Sequence, residues 1–118
     1  MKLITKAVEK AAPPLDSTGM DDALQAAKGY TIGDRTVVAK FFDPTGRFTF
    51  YMLEYDPKQR LGFGWVVSPL GPDCDELGYV SIDELEGVKG AFGLGIERDR
   101  LFSPKPLGDV APHFKEDM

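Results

Sequence analysis

The sequence predicts a single α+β domain: an antiparallel β-meander of three to five strands with two or three short helices packed on it. Three observations carry this prediction. Residues 36 to 68 are dense in aromatic and β-branched side chains that alternate along the chain. Two turn signals, Asp43-Pro44-Thr45-Gly46 and Asp56-Pro57-Lys58-Gln59, cut that stretch into three strands that can pair as hairpins. A capping box, Ser81-Ile82-Asp83-Glu84, then opens a helix. The 118 residues suffice for one domain; a chain of this size removes about two-thirds of its extended surface from water.

The elements follow in order. Thr5 to Ala12 is a short helix, with Ile4, Ala7, Val8 and Ala11 at helical spacing and Pro13-Pro14 as its stop. Met20 to Lys28 has acids near its start, a lysine near its end and Gly29 as a C-cap, and so predicts a second helix. Thr36 to Phe42 is the first strand, with Val37, Ala39 and Phe41 on one face. Arg47 to Tyr55 is the second: Phe48, Phe50 and Met52 on one face, Thr49, Tyr51, Leu53 and Tyr55 on the other. Both its faces are apolar, which predicts a central strand covered on both sides. Arg60 to Ser68 is the third, with Leu61, Phe63, Trp65 and Val67 in one row and Gly62 and Gly64 opposite. Glycines there predict a bulge or the close approach of other backbone or a ligand. Leu77 to Val80 is a short further strand. The helix from Ser81 to Lys89 carries Ile82, Leu85 and Val88 as its apolar stripe, and Gly90 ends it. Beyond the charged run Glu97-Arg98-Asp99-Arg100, Leu101 and Phe102 anchor an extended segment with Pro104 and Pro106. Residues 111 to 118 are expected to form a flexible tail.

Composition narrows the function. A net charge of −5 does not suit bulk attraction to phosphates. Cys74 is the only cysteine and His113 the only histidine, so an internal disulfide and a zinc site rich in Cys or His are excluded, and no metal or cofactor is expected. The N-terminus lacks an apolar run of signal-peptide length, and no stretch reaches the roughly 20 apolar residues of a membrane span. The expected location is the cytoplasm. The charge is uneven: residues 35 to 60 sum to +2 and residues 73 to 99 to −6. The simpler explanation is a solvated acidic helix and loop; the sharper one is an acidic face for a basic partner.

No catalytic set emerges. Gly90, Gly93 and Gly95 lack the spacing of a phosphate loop and follow a helix, and Gly62-Phe63-Gly64 lacks the third glycine of a dinucleotide fingerprint. Ser81 is accounted for as a cap. Cys74 lies among Asp73, Asp75 and Glu76, which disfavours a thiolate. Glu97, Arg98 and Asp99 are either an ion-paired turn or a polar site able to hold a divalent ion. The aromatics, 11% of the chain, cluster on the meander, either as core or as an open face that stacks a base or a peptide.

The order of the pieces resembles one small bacterial family. Lys2-Leu3-Ile4-Thr5-Lys6, Pro13-Pro14-Leu15-Asp16-Ser17-Thr18, residues 37 to 42 (VVAKFF), residues 48 to 56 (FTFYMLEYD), residues 77 to 85 (LGYVSIDEL) and the run from Gly93 through Asp99 to Leu107 are similar to the domain-of-unknown-function 2958 family, over about Lys2 to Leu107. The resemblance implies a small bacterial protein of the kind carried on plasmids, integrative elements and phages, and supplies no catalytic residues. The expectation is a non-enzymatic accessory module of mobile-element or host-defence biology that binds a macromolecule, a protein before a nucleic acid, with Tyr51, Trp65, Tyr79, Glu97, Arg98 and Asp99 as candidate contacts. The alternatives are a single-stranded nucleic-acid binder using the meander aromatics and a metal-dependent enzyme built on Glu97, Arg98 and Asp99.

Overall fold

The computed structural model describes residues 2–15, 32–88 and 94–114. The predicted helix from Met20 to Lys28 and the glycine-rich residues 90 to 93 lie outside them. The chain is α+β, with a five-stranded antiparallel sheet as its frame.

Helix α1 (Lys6–Ala11) starts where Thr5 accepts a hydrogen bond from the Val8 N–H at 3.1 Å, satisfying one of the orphan donors of the first turn. The predicted first strand is two. β1 (Thr36–Val37) pairs with the late strand β7 (Lys105–Pro106), and β2 (Ala39–Phe42) enters the main sheet. The chain changes face at Val38, so Val37 packs in one core while Ala39 and Phe41 pack in the other. At Asp43–Gly46 the predicted turn forms: the Gly46 N–H donates to the Asp43 carbonyl at 3.2 Å and the Thr45 N–H to the Asp43 carboxylate at 2.9 Å.

β3 (Thr49–Asp56) is the centre of the sheet, whose order is β5-β4-β3-β2 with β6 (Glu97–Arg98) outside β2. β4 (Leu61–Val67) pairs with β3, and the register slips between Met52 and Glu54. This bulge turns Tyr55 into the core of Phe50 and Met52, where strict alternation places it opposite. Gly64 permits the slip. A Cβ there would lie 1.9 Å from the Tyr51 carbonyl oxygen, so backbone approaches where any other side chain would stand. β5 (Glu76–Ser81) is the outer strand beside β4, and helix α2 (Ile82–Gly87) follows it directly. The Ser81 hydroxyl accepts from the Glu84 N–H at 3.2 Å, one arm of the predicted box. The helix is shorter than predicted: it ends at Gly87, and Val88 stands outside it, exposed.

Each sheet face carries its own core. On the first, Leu3, Ile4 and Val8 from the N-terminus and Ile82 and Leu85 from α2 cover Phe41, Phe50 and Met52, all three fully buried. On the second, helix α3 (Leu107–Val110) and a 3₁₀ turn (Pro112–Phe114) pack with a 3₁₀ turn at Ile32–Asp34 over Leu53 and Val37. The predicted tail is therefore corrected at its start. Ala111 and Phe114 are buried because Leu107 and Phe114 supply the apolar cover that this face needs, while residues 115–118 lie outside the described residues.

Candidate functional site

Strand register assembles the second face. Lys40 stands opposite Tyr51, Tyr51 opposite Trp65 and Trp65 opposite Leu77, so one row crosses four strands. Phe42 shares the face with Lys40, two residues on. Phe102 leans in from the segment after β6, its ring centroid 6.3 Å from that of Tyr51. Two lysines lie over these rings. Lys40 Nζ is 5.9 Å from the Phe42 centroid and 5.8 Å from that of Tyr51, and Lys105 Nζ is 5.0 Å from that of Phe102. Phe42, Tyr51, Trp65 and Phe102 are each only half-buried. Tyr51, Trp65 and Phe102 pack against the rim of the second core and Phe42 lies beyond it, so the described residues leave an aromatic surface with cations on it.

The predicted contacts fall in different places. Tyr51 is at the centre of this surface. Trp65 borders it, but its ring is flanked by His113 at 5.1 Å and by the edge of Phe114 at 5.1 Å. Tyr79, 55% exposed, sits on β5 with its ring 5.0 Å from Phe63. Glu97, Arg98 and Asp99 divide between strand and an ion-paired turn. The first two form β6, with Glu97 opposite Phe42 and Arg98 opposite Phe41, so successive side chains point to opposite faces. Asp99 Oδ2 lies 3.6 Å from Lys40 Nζ, and its Oδ1 accepts the Leu101 N–H at 2.9 Å. The three side chains do not converge, as a metal-dependent site would require, and among the described residues no three His, Cys, Asp or Glu side chains are placed to hold an ion. Sequence reasoning missed Lys105 and His113. Lys105 sits between two prolines in extended chain, and His113 falls in the stretch taken for a tail.

The uneven charge is partly cancelled in space. Arg47 from the basic stretch grips Asp75 with two bonds of 2.7 and 2.8 Å. Asp75 also accepts the Ser68 N–H at 2.8 Å, and Arg47 holds its carboxyl down to about 2. Arg60, in the left-handed region at φ 50°, reaches Asp83 and grips Glu86 with bonds of 3.0 and 2.9 Å. The bonds to Glu86 and Tyr55 raise the Arg60 guanidinium above its ordinary value, and Arg60 in turn lowers the Glu86 carboxyl. Glu86 also accepts the Leu3 N–H at 2.9 Å and so pins the N-terminal segment onto the first face. With Lys40 on Asp99, four of the eight acids between residues 73 and 99 are paired with three bases from residues 35 to 60, Arg60 serving two of them. Asp73, Glu76, Glu84 and Glu97 enter no ion pair with the described residues. The acidic face is thus reduced to scattered single charges.

No helix among the described residues is long and apolar enough to cross a membrane. No curated protein and no solved structure matches the chain. A family model described as "Protein of unknown function (DUF2958)" matches residues 17–111, most of the chain and including every strand of the sheet, though not the segment from Lys2 that the sequence resemblance included. The chain therefore belongs to the domain-of-unknown-function 2958 family.

Proposed function

We propose that this protein is a non-enzymatic accessory module that binds a macromolecular partner, a protein, through the open half of the second sheet face. One observation carries this reading: Phe42, Tyr51 and Phe102 each keep a minor part of their surface exposed on one face, with Lys40 and Lys105 over their rings. Grouped aromatic side chains left partly in water are what a contact surface uses, because they bring large area and lose little rotamer freedom on binding. A cytoplasmic location and a setting in mobile-element or host-defence biology belong to the same proposal; the setting rests on the family resemblance.

Affinity capture from the native host with the wild type and with Tyr51→Ala plus Phe102→Ala, both analysed for protein and nucleic acid, tests the reading. The expected result is a protein partner retained by the wild type and lost by the variant. Identical captures remove this face as the contact surface.

The lysines over the rings also favour a second reading, a single nucleic-acid strand stacked on Tyr51 with its phosphates near Lys40 and Lys105. That reading requires affinity that falls steeply with salt. A fluorescent oligonucleotide that fails to bind at low salt eliminates it.

A further inference from the structure

The turn from Asp99 to Phe102 is mounted firmly on the sheet. The Asp99 N–H donates to the Lys40 carbonyl at 2.9 Å, and the Asp99 carboxylate lies 3.6 Å from Lys40 Nζ. That carboxylate also accepts the Leu101 N–H at 2.9 Å, and the Phe102 N–H closes on the Asp99 carbonyl at 3.3 Å. The turn carries a leucine into water: Leu101 is 96% exposed. A single exposed apolar side chain is ordinary. This one is set apart by its fixed mount and by an unfilled apolar cleft beside it. The cleft, of about 290 Å³, lies between α1 and the β2–β6 edge. Val8, Ala11, Val38 and Phe102 are among its walls, and Thr5 and Arg98 supply polar groups. Phe102 follows Leu101 directly, so the projecting side chain and the cleft belong to one patch. Leu101 does not fill the cleft of its own chain, because nearly all of its surface faces water.

We propose that this patch pairs with the same patch of a second copy of the chain, each copy placing its Leu101 in the cleft of the other. Two features of the patch select a second copy as the occupant. The first is that it carries both halves of an apolar contact, a projection and a receiving cleft, side by side. A surface that complements itself in this way is what a two-fold contact requires, and such a contact closes at two copies. The second is size. The cleft falls just below the roughly 300–1,000 Å³ of small-molecule pockets, and its walls call for an apolar side chain. The mount completes the argument, since a turn already held by Asp99 and Lys40 loses little freedom on docking. The patch is small, so the dimer is a weak, exchanging one, below the roughly 1,200 Å² of stable interfaces. The proposal goes beyond the partner surface argued above: Phe42 and Tyr51 take no part in it, and its test uses none of that surface's variants.

Sedimentation equilibrium of the full chain, at concentrations up to about 1 mM so as to reach weak association, provides the test. The expected result is a monomer–dimer equilibrium with no larger species. Leu101→Asp should weaken the dimer at least about tenfold with an unchanged thermal melt, because symmetry removes two buried leucines at once. Ala11→Phe, which plugs the cleft and leaves Leu101 in place, should weaken it as much. Leu70→Asp, at another leucine that stands mostly in water (83% exposed), should leave it unchanged. On dilution of the wild type, the amide resonances of Val8, Ala11 and Leu101 should shift together. A chain that stays monomeric at about 1 mM overturns the proposal. So does an open series of larger species, a Leu70→Asp effect equal to that of Leu101→Asp, or a dimer whose dilution leaves those three amides unmoved.

Discussion

The two faces of the sheet are built from alternate residues of the same strands, yet they end in different states. Phe50 and Tyr51 are neighbours in β3. Phe50 is wholly buried beneath the N-terminal segment and α2, stacked on Phe41 at 6.2 Å, whereas Tyr51 keeps part of its ring in water beneath Lys40. The difference lies in what covers each face. The first is covered by two segments fastened at their ends, Leu3 by the Glu86 carboxylate and α2 by the Arg60 pairs. The second is covered by the short chain end from Leu107 to Phe114, which reaches Leu53 and Trp65 but not Phe42. A closed face holds the fold; a half-closed face built of aromatics has surface to spare for a partner.

The largest expected effect separates the faces directly. Phe50→Ala should cost about 3–5 kcal/mol, the usual range for emptying a buried aromatic site. Tyr51→Ala should cost less than about 2 kcal/mol, because its ring gives up less burial and leaves no enclosed cavity. Urea denaturation of both variants checks this. Equal costs would mean that the second face is as closed as the first.

Next in size is a contrast between two glycines that face each other across β4 and β5, Gly64 and Gly78. A Cβ on Gly64 meets the Tyr51 carbonyl oxygen, whereas one on Gly78 meets nothing within 4 Å. Gly64→Ala should destabilise by about 1–3 kcal/mol or more, as forced overpacking does. Gly78→Ala should stay within about 0.5 kcal/mol of wild type, as open surface sites do. A neutral Gly64→Ala would show that the bulge at Leu53 is not held by backbone contact.

Much of this architecture was legible in the sequence. The strands, the Asp43 turn and the Ser81 cap each follow from a few residues close together in the chain, where propensity and local hydrogen bonds decide the outcome. The bulge had a visible signal that alternation alone hides. Glu54 falls in the row of Phe48, Phe50 and Met52, a poor place for a carboxylate, and the register slip brings Tyr55 into that core instead. The ion pairs were not legible, because Arg47 with Asp75 and Arg60 with Glu86 span 28 and 26 residues and depend on how β4 and β5 align. The Ala111 start of the expected tail failed for a related reason: a short polar end looks free until the uncovered Leu53 and Trp65 are known to lie beneath it. The candidate site was half legible. Tyr51 is where the alternation places it, while Phe102 and Lys105 join it only through the β1–β7 pairing and the return of the chain past β6.

The smallest expected effect comes from acid, and it tests whether the faces are fastened differently. The carboxyls of Glu86 and Asp75 are lowered in the folded protein by Arg60 and Arg47, so each is ionised more readily folded than unfolded. Their contribution to stability is present above the unfolded carboxylate values, 4.5 and 3.8, and is lost as pH falls through the folded values, which for Asp75 is about 2. Glu86 fastens Leu3, so the loss falls first on the lid of the closed face. The second face is held near Trp65 by ring contacts with His113 and Phe114, with no carboxylate among them. Amide exchange followed from pH 7 to pH 2.5, corrected for the intrinsic rate, should show Leu3 losing protection in the carboxylate range before Phe114, whose N–H donates to the Ala111 carbonyl at 3.0 Å. Glu86→Gln should remove that pH dependence at Leu3 and leave Phe114 unchanged. Simultaneous loss at both amides would mean that one cooperative unit spans the sheet, and that the open half of the second face owes nothing to a weaker fastening.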